Sequence, residues 1–456
     1  MGAQVINVIS LPVIARLYAP GEYAVWAIVL ATAAIFSMIA CLRYELAIVL
    51  PTKDSDASML FWCCLVLCLC MGGGIGSVLL LPWVRTVFAT SSLHVIPEHV
   101  LIIFGLITAT GAILALRYWC IRQKSFALNS VGQIVLAAST ICFQISYATY
   151  FVGNSLGLML GSLFGQVMSA GVMFAGLIFI RKIPRFELKK IVRLPGILKK
   201  HRKFPQYSTP YTLFGCFRDR ASIFVLQYFL SSNVVGIYAF TYRVMNFPIN
   251  LISSALRPVL FQQVAATGVQ SVEKRINGIL TFLVIAVTPF LVFYFFYSKE
   301  IFVLLLGEKW GEAGHIGKFI ILPVYTFLFC NWMDRIMDVL GKQRYVLCLE
   351  LIFSFLSIGG LLLGFILNFG FDGALLIQSF VLVSYNLYYL CATFKVAGYS
   401  LSNLGKLLTL SVIQGLLTTI AILLFKSIFN MAIIFFLLVL LSATAAMLIL
   451  KKKISF

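Results

Sequence analysis

RKIPRFELKKIVRLPGILKKHRKFP, residues Arg181 to Pro205, holds ten of the chain's 35 Lys and Arg against a single acid, Glu187. On both sides of it the sequence is almost continuously apolar. A segment this basic cannot sit in hydrocarbon, and beside membrane spans a Lys/Arg-rich connection marks the cytoplasmic side. Its place, a little before the midpoint, predicts a joint between two membrane-embedded lobes.

Composition points the same way. The chain is 61% hydrophobic and 11% charged, with 40 Phe, whereas soluble domains carry about a quarter charged residues. The formal net charge of +20 is loop charge between apolar spans. It faces anionic membrane lipids and not a nucleic acid. No cleavable signal peptide precedes the first apolar segment. The cysteines make no metal or disulfide framework: Cys63, Cys64, Cys68 and Cys70 lie inside one hydrophobic run, where Cys is a small apolar filler.

Working outward from the basic stretch, hydropathy predicts an all-α polytopic membrane protein of about 14 spans. Six precede it: Gly2–Leu17, Tyr23–Arg43, Met59–Leu81, Val100–Leu116, Leu128–Tyr147 and Leu156–Ile180. Eight follow it: Tyr207–Leu230, Val234–Leu260, Ile276–Tyr297, Ile316–Met337, Tyr345–Leu367, Phe371–Phe394, Leu407–Phe425 and Met431–Leu450. The expected organisation is an N-terminal lobe of six spans over 1–180, a basic cytoplasmic linker over 181–206, a second lobe of six over 207–394, and two additional spans over 395–456. The first span has sixteen residues after the initiator, short for a bilayer, so either the helix is short or the chain starts inside a longer gene.

Charge orients these spans. With both termini cytoplasmic, the inner connections hold Arg43, Lys53, Arg117, Arg122, Lys124, the ten of the linker, Lys274, Arg275, Lys342, Arg344, Lys395, Lys406 and Lys451–Lys453. The outer side holds only Arg16, Arg85, Lys299, Lys309, Lys318 and Lys426. That asymmetry obeys the positive-inside rule, and dropping one span destroys it.

Function has to come from groups that hydrocarbon does not tolerate. Five arginines fall within spans: Arg218, Arg220, Arg243, Arg257 and Arg335. Each costs on the order of 2.5–3.5 kcal/mol unless it meets water, a partner or a ligand. Arg218 and Arg220 bracket Asp219 on different sides of one helix. In the eighth span Asn246, Asn250, Ser253, Ser254 and Arg257 project within about 80° of Arg243, making a polar stripe with its two arginines about 21 Å apart. Such a stripe is either a seam against another helix or the wall of a hydrated cationic cavity. Among the acids, Asp219, Asp334, Glu350 and Asp372 are candidates for ion coupling; Asp334, Arg335 and Asp338 are equally placed for a local ion pair.

No catalytic grouping competes. The four His (His94, His99, His201 and His315) lie in or beside loops without metal-ligand spacing. The glycines at 72–76 and 359–364 lie in apolar spans, where close helix packing is the better reading than phosphate binding. The chain reads as a non-enzyme without cofactor or metal.

ARLYAPGEYAVWAI at 15–28 and LRYELAIVLP at 42–51 resemble the opening of the bacterial polysaccharide-biosynthesis flippases. These are the O-antigen and capsule repeat-unit transporters, within the superfamily that also holds the MATE exporters and the lipid II flippase. NVVGIYAFTYRVMNFPINLISSALRPVLF at 233–261 is similar to the family segment that opens the second lobe. The resemblance implies a MATE-like pair of lobes around a central cavity and alternating access. It places family arginines on Arg16, Arg43, Arg243 and Arg257. Independently, PGEYA at 20–24 echoes VVGIYA at 234–239, as parallel repeats require.

The expected substrate is an undecaprenyl-diphosphate-linked oligosaccharide, moved without bond cleavage. Substrate-cavity candidates are Arg16, Arg43, Arg218, Arg220, Arg243, Asn250 and Arg257. Further partners are anionic lipids, a proton or sodium ion, and a glycan polymerase that removes product. The alternatives are a MATE-like small-molecule exporter, a peptidoglycan-precursor flippase, and a non-transporting scaffold of a glycan polymerase complex.

Overall fold

Apolar runs of twenty or more residues satisfy their backbone internally only as helices when they lie in lipid. The computed structural model accordingly contains helices throughout the described residues, which are 2–89, 91–184, 192–425 and a few positions from 431 to 442. In chain order they are α1 Gly2–Leu17, α2 Pro20–Ser37, α3 Asp54–Leu80, α4 Pro82–Ala89, α5 Val95–Glu98, α6 Val100–Arg122, α7 Phe126–Tyr150 and α8 Ser155–Phe179. There follow α9 Leu194–Lys200, α10 Thr209–Phe229, α11 Ser232–Thr267, α12 Glu273–Leu306, α13 Gly311–Cys330, α14 Asp334–Val339, α15 Gln343–Ile366, α16 Gly370–Ala397 and α17 Leu401–Phe425.

Among the described residues ten helices are long and apolar enough to cross a membrane, and α1 is a shorter apolar one. Helices α10 and α11 have the length but carry the charged and polar residues that lower their hydropathy. Thirteen of the expected spans thus coincide with helices; the expected fourteenth, Met431–Leu450, lies largely outside the described residues.

The chain forms two compact units, Met1–Ala239 and Phe240–Phe456. The division falls inside α11. The basic linker expected as the joint lies within the first unit, because α10 packs on α2.

In the first unit α7 and α8 make the closest hairpin. Its reason is in the sequence: Gly157, Gly161 and Gly165 recur every fourth residue on one face of α8. A Cβ at Gly161 would stand 3.2 Å from the Thr140 carbonyl, and one at Gly165 3.0 Å from that of Leu136. Small residues at this spacing let membrane helices approach where lipid supplies no hydrophobic drive. Polar seams add direction. Tyr18 donates to the Gln144 carbonyl at 2.7 Å, Gln144 to that of Leu158 at 2.9 Å, and Trp26 to Ser162 Oγ at 2.9 Å. The two echoing segments meet here as well: Gly236 abuts the Pro20 carbonyl, and Gly21 faces Asn233 Oδ1, which a Cβ would approach to 2.9 Å.

The ends of the basic connection are docked on this unit. Trp119 donates to the Lys182 carbonyl at 2.8 Å, Trp62 to that of Pro184 at 3.2 Å, and Lys182 Nζ to that of Gln123 at 2.9 Å. Residues 185–191 lie outside the described ones.

In the second unit α12, α13, α15, α16 and α17 pack pairwise. Tyr325 ties three of them, bonding Thr288 of α12 at 2.7 Å and Ser411 of α17 at 2.8 Å. Asn386 of α16 donates to the Pro323 carbonyl and to Thr326 Oγ1, both at 3.0 Å. The carbonyl that Pro323 frees inside α13 is that of Phe319, and it accepts from Ser379 Oγ of α16 at 2.6 Å.

Candidate functional site

The first unit holds a compact group of charges, built where α2 stops. After Ser37 the backbone turns, and Leu42 and Arg43 both take left-handed φ, 49° and 61°. Neither residue type favours that region, and the strain is of order 1–3 kcal/mol per residue. It reverses the chain so that the 3-10 segment Tyr44–Val49 packs against α3 and α6. Arg122 of α6 secures the segment's far end: its Nη1 donates to the carbonyls of Ile48 at 3.2 Å and Pro51 at 2.7 Å, while its Nη2 meets Asp54 at 2.7 Å. Tyr44 reaches the Leu198 carbonyl of α9 at 3.4 Å.

Within this clamp Glu45 is fully buried, its side chain 0% exposed, with Arg43 Nη1 3.2 Å from Oε1 and the Arg43 side chain 19% exposed. The contact is an ion pair out of hydrogen-bond alignment, and neither carboxylate oxygen has a partner with hydrogen-bond geometry. Burial pushes the Glu45 carboxyl up from the ordinary carboxylate range, against the pull of Arg43 and of its own amide N–H.

Arg43 also reaches α10. The Cys216 thiol lies within range of the charges of Asp219, Arg220, Arg43 and Arg218. Arg218 turns both Nε and Nη2 onto Asp219 Oδ1, at 2.9 and 2.8 Å. That arrangement uses one side of the guanidinium fork and neutralises part of its charge, and Asp219 is itself 57% exposed. Arg220 is exposed, on the face of α10 that Cys216 shares. The charges of Arg43, Arg218 and Arg220 thus all act on Cys216, although sequence spacing had set Arg218 and Arg220 on different sides. Arg16 is exposed in the last turn of α1.

The second unit divides the polar stripe of α11. Arg243, Asn250 and Ser254 are exposed. Ser253, 4% exposed, and Arg257 turn instead to the end of α13: Arg257 Nη2 donates to the Asn331 carbonyl at 2.8 Å and to its Oδ1 at 3.0 Å, and Asn331 Nδ2 donates to Ser253 Oγ at 3.0 Å. Asn331 is the C-cap of α13, so Arg257 supplies a cation to a helix C-terminus, where it is favourable. The stripe is a seam at its Arg257 end and solvent-exposed at its Arg243 end.

The acids separate likewise. Glu350 of α15 accepts a hydrogen bond from Tyr385 of α16, beside an aromatic cluster with Phe353 and Tyr389. Asp372, in the first turn of α16, faces His315 Nε2 at 3.0 Å, with both side chains more than half exposed. That is a surface helix-end pair. The side chains of Asp334 and Arg335 lie outside the described residues. Among the described residues no cluster of His, Cys, Asp and Glu could hold a metal ion.

Residues 13–315 match the family described as "Polysaccharide biosynthesis protein", about two thirds of the chain. The chain belongs to this family. As a member of the polysaccharide biosynthesis proteins it also shares a transporter fold with two solved structures. One is a lipid II flippase, MurJ, in an inward closed conformation: TM-score 0.72, 15% identity, 98% of this chain and 96% of that one. The other is an inward-facing multidrug resistance MATE family transporter of the MOP superfamily: TM-score 0.54, 13% identity, 87% of this chain and 93% of that one. No protein of curated function matches in sequence. This family member is thus an all-α protein with ten described helices long and apolar enough to cross a membrane, and it has the fold of those two transporters.

Sequence reasoning about this family member missed Glu45 and Asn331. Glu45 had a signal, an Arg-x-Glu pair beside an apolar run, of which only Arg43 was singled out. Asn331 had none, since only the fold carries α13 to α11. The first unit also has an apolar cleft of about 620 Å³ between α3, α6 and α8, lined by Phe61, Leu65, Phe104, Leu163, Val167 and Phe174 among others. No ionisable side chain lines it, so it suits hydrocarbon.

Proposed function

We propose that this protein flips an undecaprenyl-diphosphate carrying a short oligosaccharide repeat unit from the cytoplasmic to the periplasmic leaflet of the bacterial inner membrane, for O-antigen or capsule assembly. The observation that supports it most directly is the set of guanidinium charges of Arg43, Arg218 and Arg220, all of which reach Cys216 of α10. A diphosphate and hydrated sugars do not cross hydrocarbon. Planar donor forks match phosphate oxygens pairwise, and several at one place hold a dianion better than any single cation. The isoprenoid tail stays in lipid, and the apolar cleft of the first unit offers it a surface. No bond breaks; the site is exposed to one side and then the other. Turnover against a gradient draws on a proton or sodium ion, or on product removal by a periplasmic polymerase. A cationic drug, as substrate of a MATE-like exporter, is repelled by the same group.

The test is surface polymer per molecule of membrane-inserted protein. In an Arg218→Ala/Arg220→Ala variant output falls tenfold or more, since a charge-assisted bond to phosphate contributes about 1.5–3 kcal/mol. Unchanged output per molecule overturns the reading. Loss of cell viability with polymer unaffected points instead to a peptidoglycan precursor.

The proposed direction depends on orientation. Reporters inserted within Arg181–Pro205 and after Lys453 read cytoplasmic, and one beside Glu308 reads periplasmic. A periplasmic signal from the basic stretch reverses the direction of transport.

A further inference from the structure

Among the described residues Glu45 is the only acid that is buried. Evolution has many neutral residues of that volume available, and a carboxyl without hydrogen-bond partners at a dry position is costly. Its surroundings leave it a single cation in contact. Cys41, in the turn after α2, and Cys64 and Cys68 of α3 lie within range of its charge. From α6, Arg122 is committed to Asp54 and to backbone carbonyls. The neighbouring Phe204–Ser208 segment brings no charged side chain, and its Tyr207 is 71% exposed. Tyr44 is turned to Leu198. Among the described residues only Arg43 pairs with the carboxylate, and the charge of Arg43 also reaches Cys216 of α10, as do those of Arg218 and Arg220.

We propose that Glu45 is the resident counter-ion of Arg43, that the diphosphate of the substrate displaces it, and that the displaced carboxyl then takes up a proton from solvent. The balance is one proton bound as one diphosphate binds, and one returned as it leaves. This rests on the flippase reading above and adds to it a proton linked to substrate binding.

Three observations converge on it. The pair is in contact at 3.2 Å but out of hydrogen-bond alignment, so no directional bond has to be broken to separate it. The left-handed backbone at Leu42 and Arg43 is strain of the kind found at sites that switch. Removing Arg43 from Glu45 leaves burial, which already pushes the carboxyl up, unopposed, and adds the field of an incoming anion. Both changes favour the proton. Linkage then requires the converse: protonating Glu45 tightens diphosphate binding, so affinity rises as pH falls.

The experiment measures binding of farnesyl-diphosphate-N-acetylglucosamine to the full chain in nanodiscs between pH 6 and 8. This probe is a diphosphate diester whose own charge is constant over that range. Wild-type affinity tightens several-fold from pH 8 to 6, with a ceiling of about tenfold per pH unit for one linked proton. Glu45→Gln binds as tightly as wild type does at pH 6, without pH dependence. A second measurement needs no variant: calorimetry of the wild type in buffers of different ionisation enthalpy shows net proton uptake on binding. Binding that is pH-independent in wild type, or proceeds without proton uptake, overturns the counter-ion role and leaves the flippase reading standing. Absence of binding to wild type at every pH sinks both, and wild-type binding whose pH dependence survives in Glu45→Gln assigns the proton to another group and sinks the role of Glu45.

Discussion

Arg43→Ala abolishes export and also lowers the amount of folded protein, and the two losses separate in a double variant. Among the described residues Arg43 is the only cation paired with the fully buried Glu45. Removing one partner of a buried pair costs about 3–5 kcal/mol when the other stays charged. Glu45 has a way out, which is to bind a proton. Its carboxyl, already pushed up by burial, moves further up in the alanine variant. A group whose folded-state pKa is raised favours the fold below its unfolded pKa and loses that contribution as pH rises through the folded value. The variant is therefore more stable at pH 6 than at pH 8, read by thermal unfolding in detergent. In Arg43→Ala/Glu45→Gln the charge problem is gone and folded protein returns to near the wild-type amount. Export does not return, because the diphosphate still lacks a donor fork, and polymer per inserted molecule stays tenfold or more below wild type, corresponding to about 1.5–3 kcal/mol of lost charge-assisted bonding. Recovery of export in the double variant would show that Arg43 serves only to neutralise Glu45.

Arg243→Ala and Arg257→Ala fail for different reasons despite sharing one stripe in sequence. Arg243 is exposed on the open part of α11. Its loss lowers polymer per inserted molecule with little change in the amount of protein, and Arg243→Lys recovers part, since Lys keeps the charge without the fork. Arg257 donates to the carbonyl and side chain of Asn331 at the end of α13, and through Asn331 connects to Ser253. Alanine there strands a helix C-terminus and costs about 1.5–3 kcal/mol, so output falls in step with folded protein and output per molecule is nearly kept. Asn331→Ala gives the same phenotype as Arg257→Ala, and the double variant is no worse than either single, because both break one network. An Arg257→Ala protein present in normal amount but inactive would return Arg257 to the substrate's path.

What the chain does in a membrane was legible because the signals are local and large. Twenty apolar residues in a row have one low-energy state in lipid, and that state depends on no distant partner. Gly364, read from its apolar span as a packing glycine, does lie against the Ala374 backbone of α16, whereas Gly73, Gly74 and Gly359 meet no neighbour. The stretches ARLYAPGEYAVWAI, LRYELAIVLP and NVVGIYAFTYRVMNFPINLISSALRPVLF were sufficient to indicate the family.

The candidate site was legible only as an inventory of residue types. Helical periodicity puts Arg243 and Arg257 on one side of α11, but which neighbour meets each end depends on α13, 74 residues further on from Arg257. Arg218 and Arg220 diverge on an ideal helix, and the fold adds Arg43, from a distant segment, to the charges that act on Cys216 beside them. Glu45 was hidden most completely. In sequence it is a loop acid two residues from an arginine; in the fold, two left-handed residues carry it into the packing of α3 and α6. Hydropathy and backbone satisfaction, which act along the chain, determined the helices. Desolvation acts through neighbours distant in sequence, and only the tertiary structure decided which of the charged groups it would bear on.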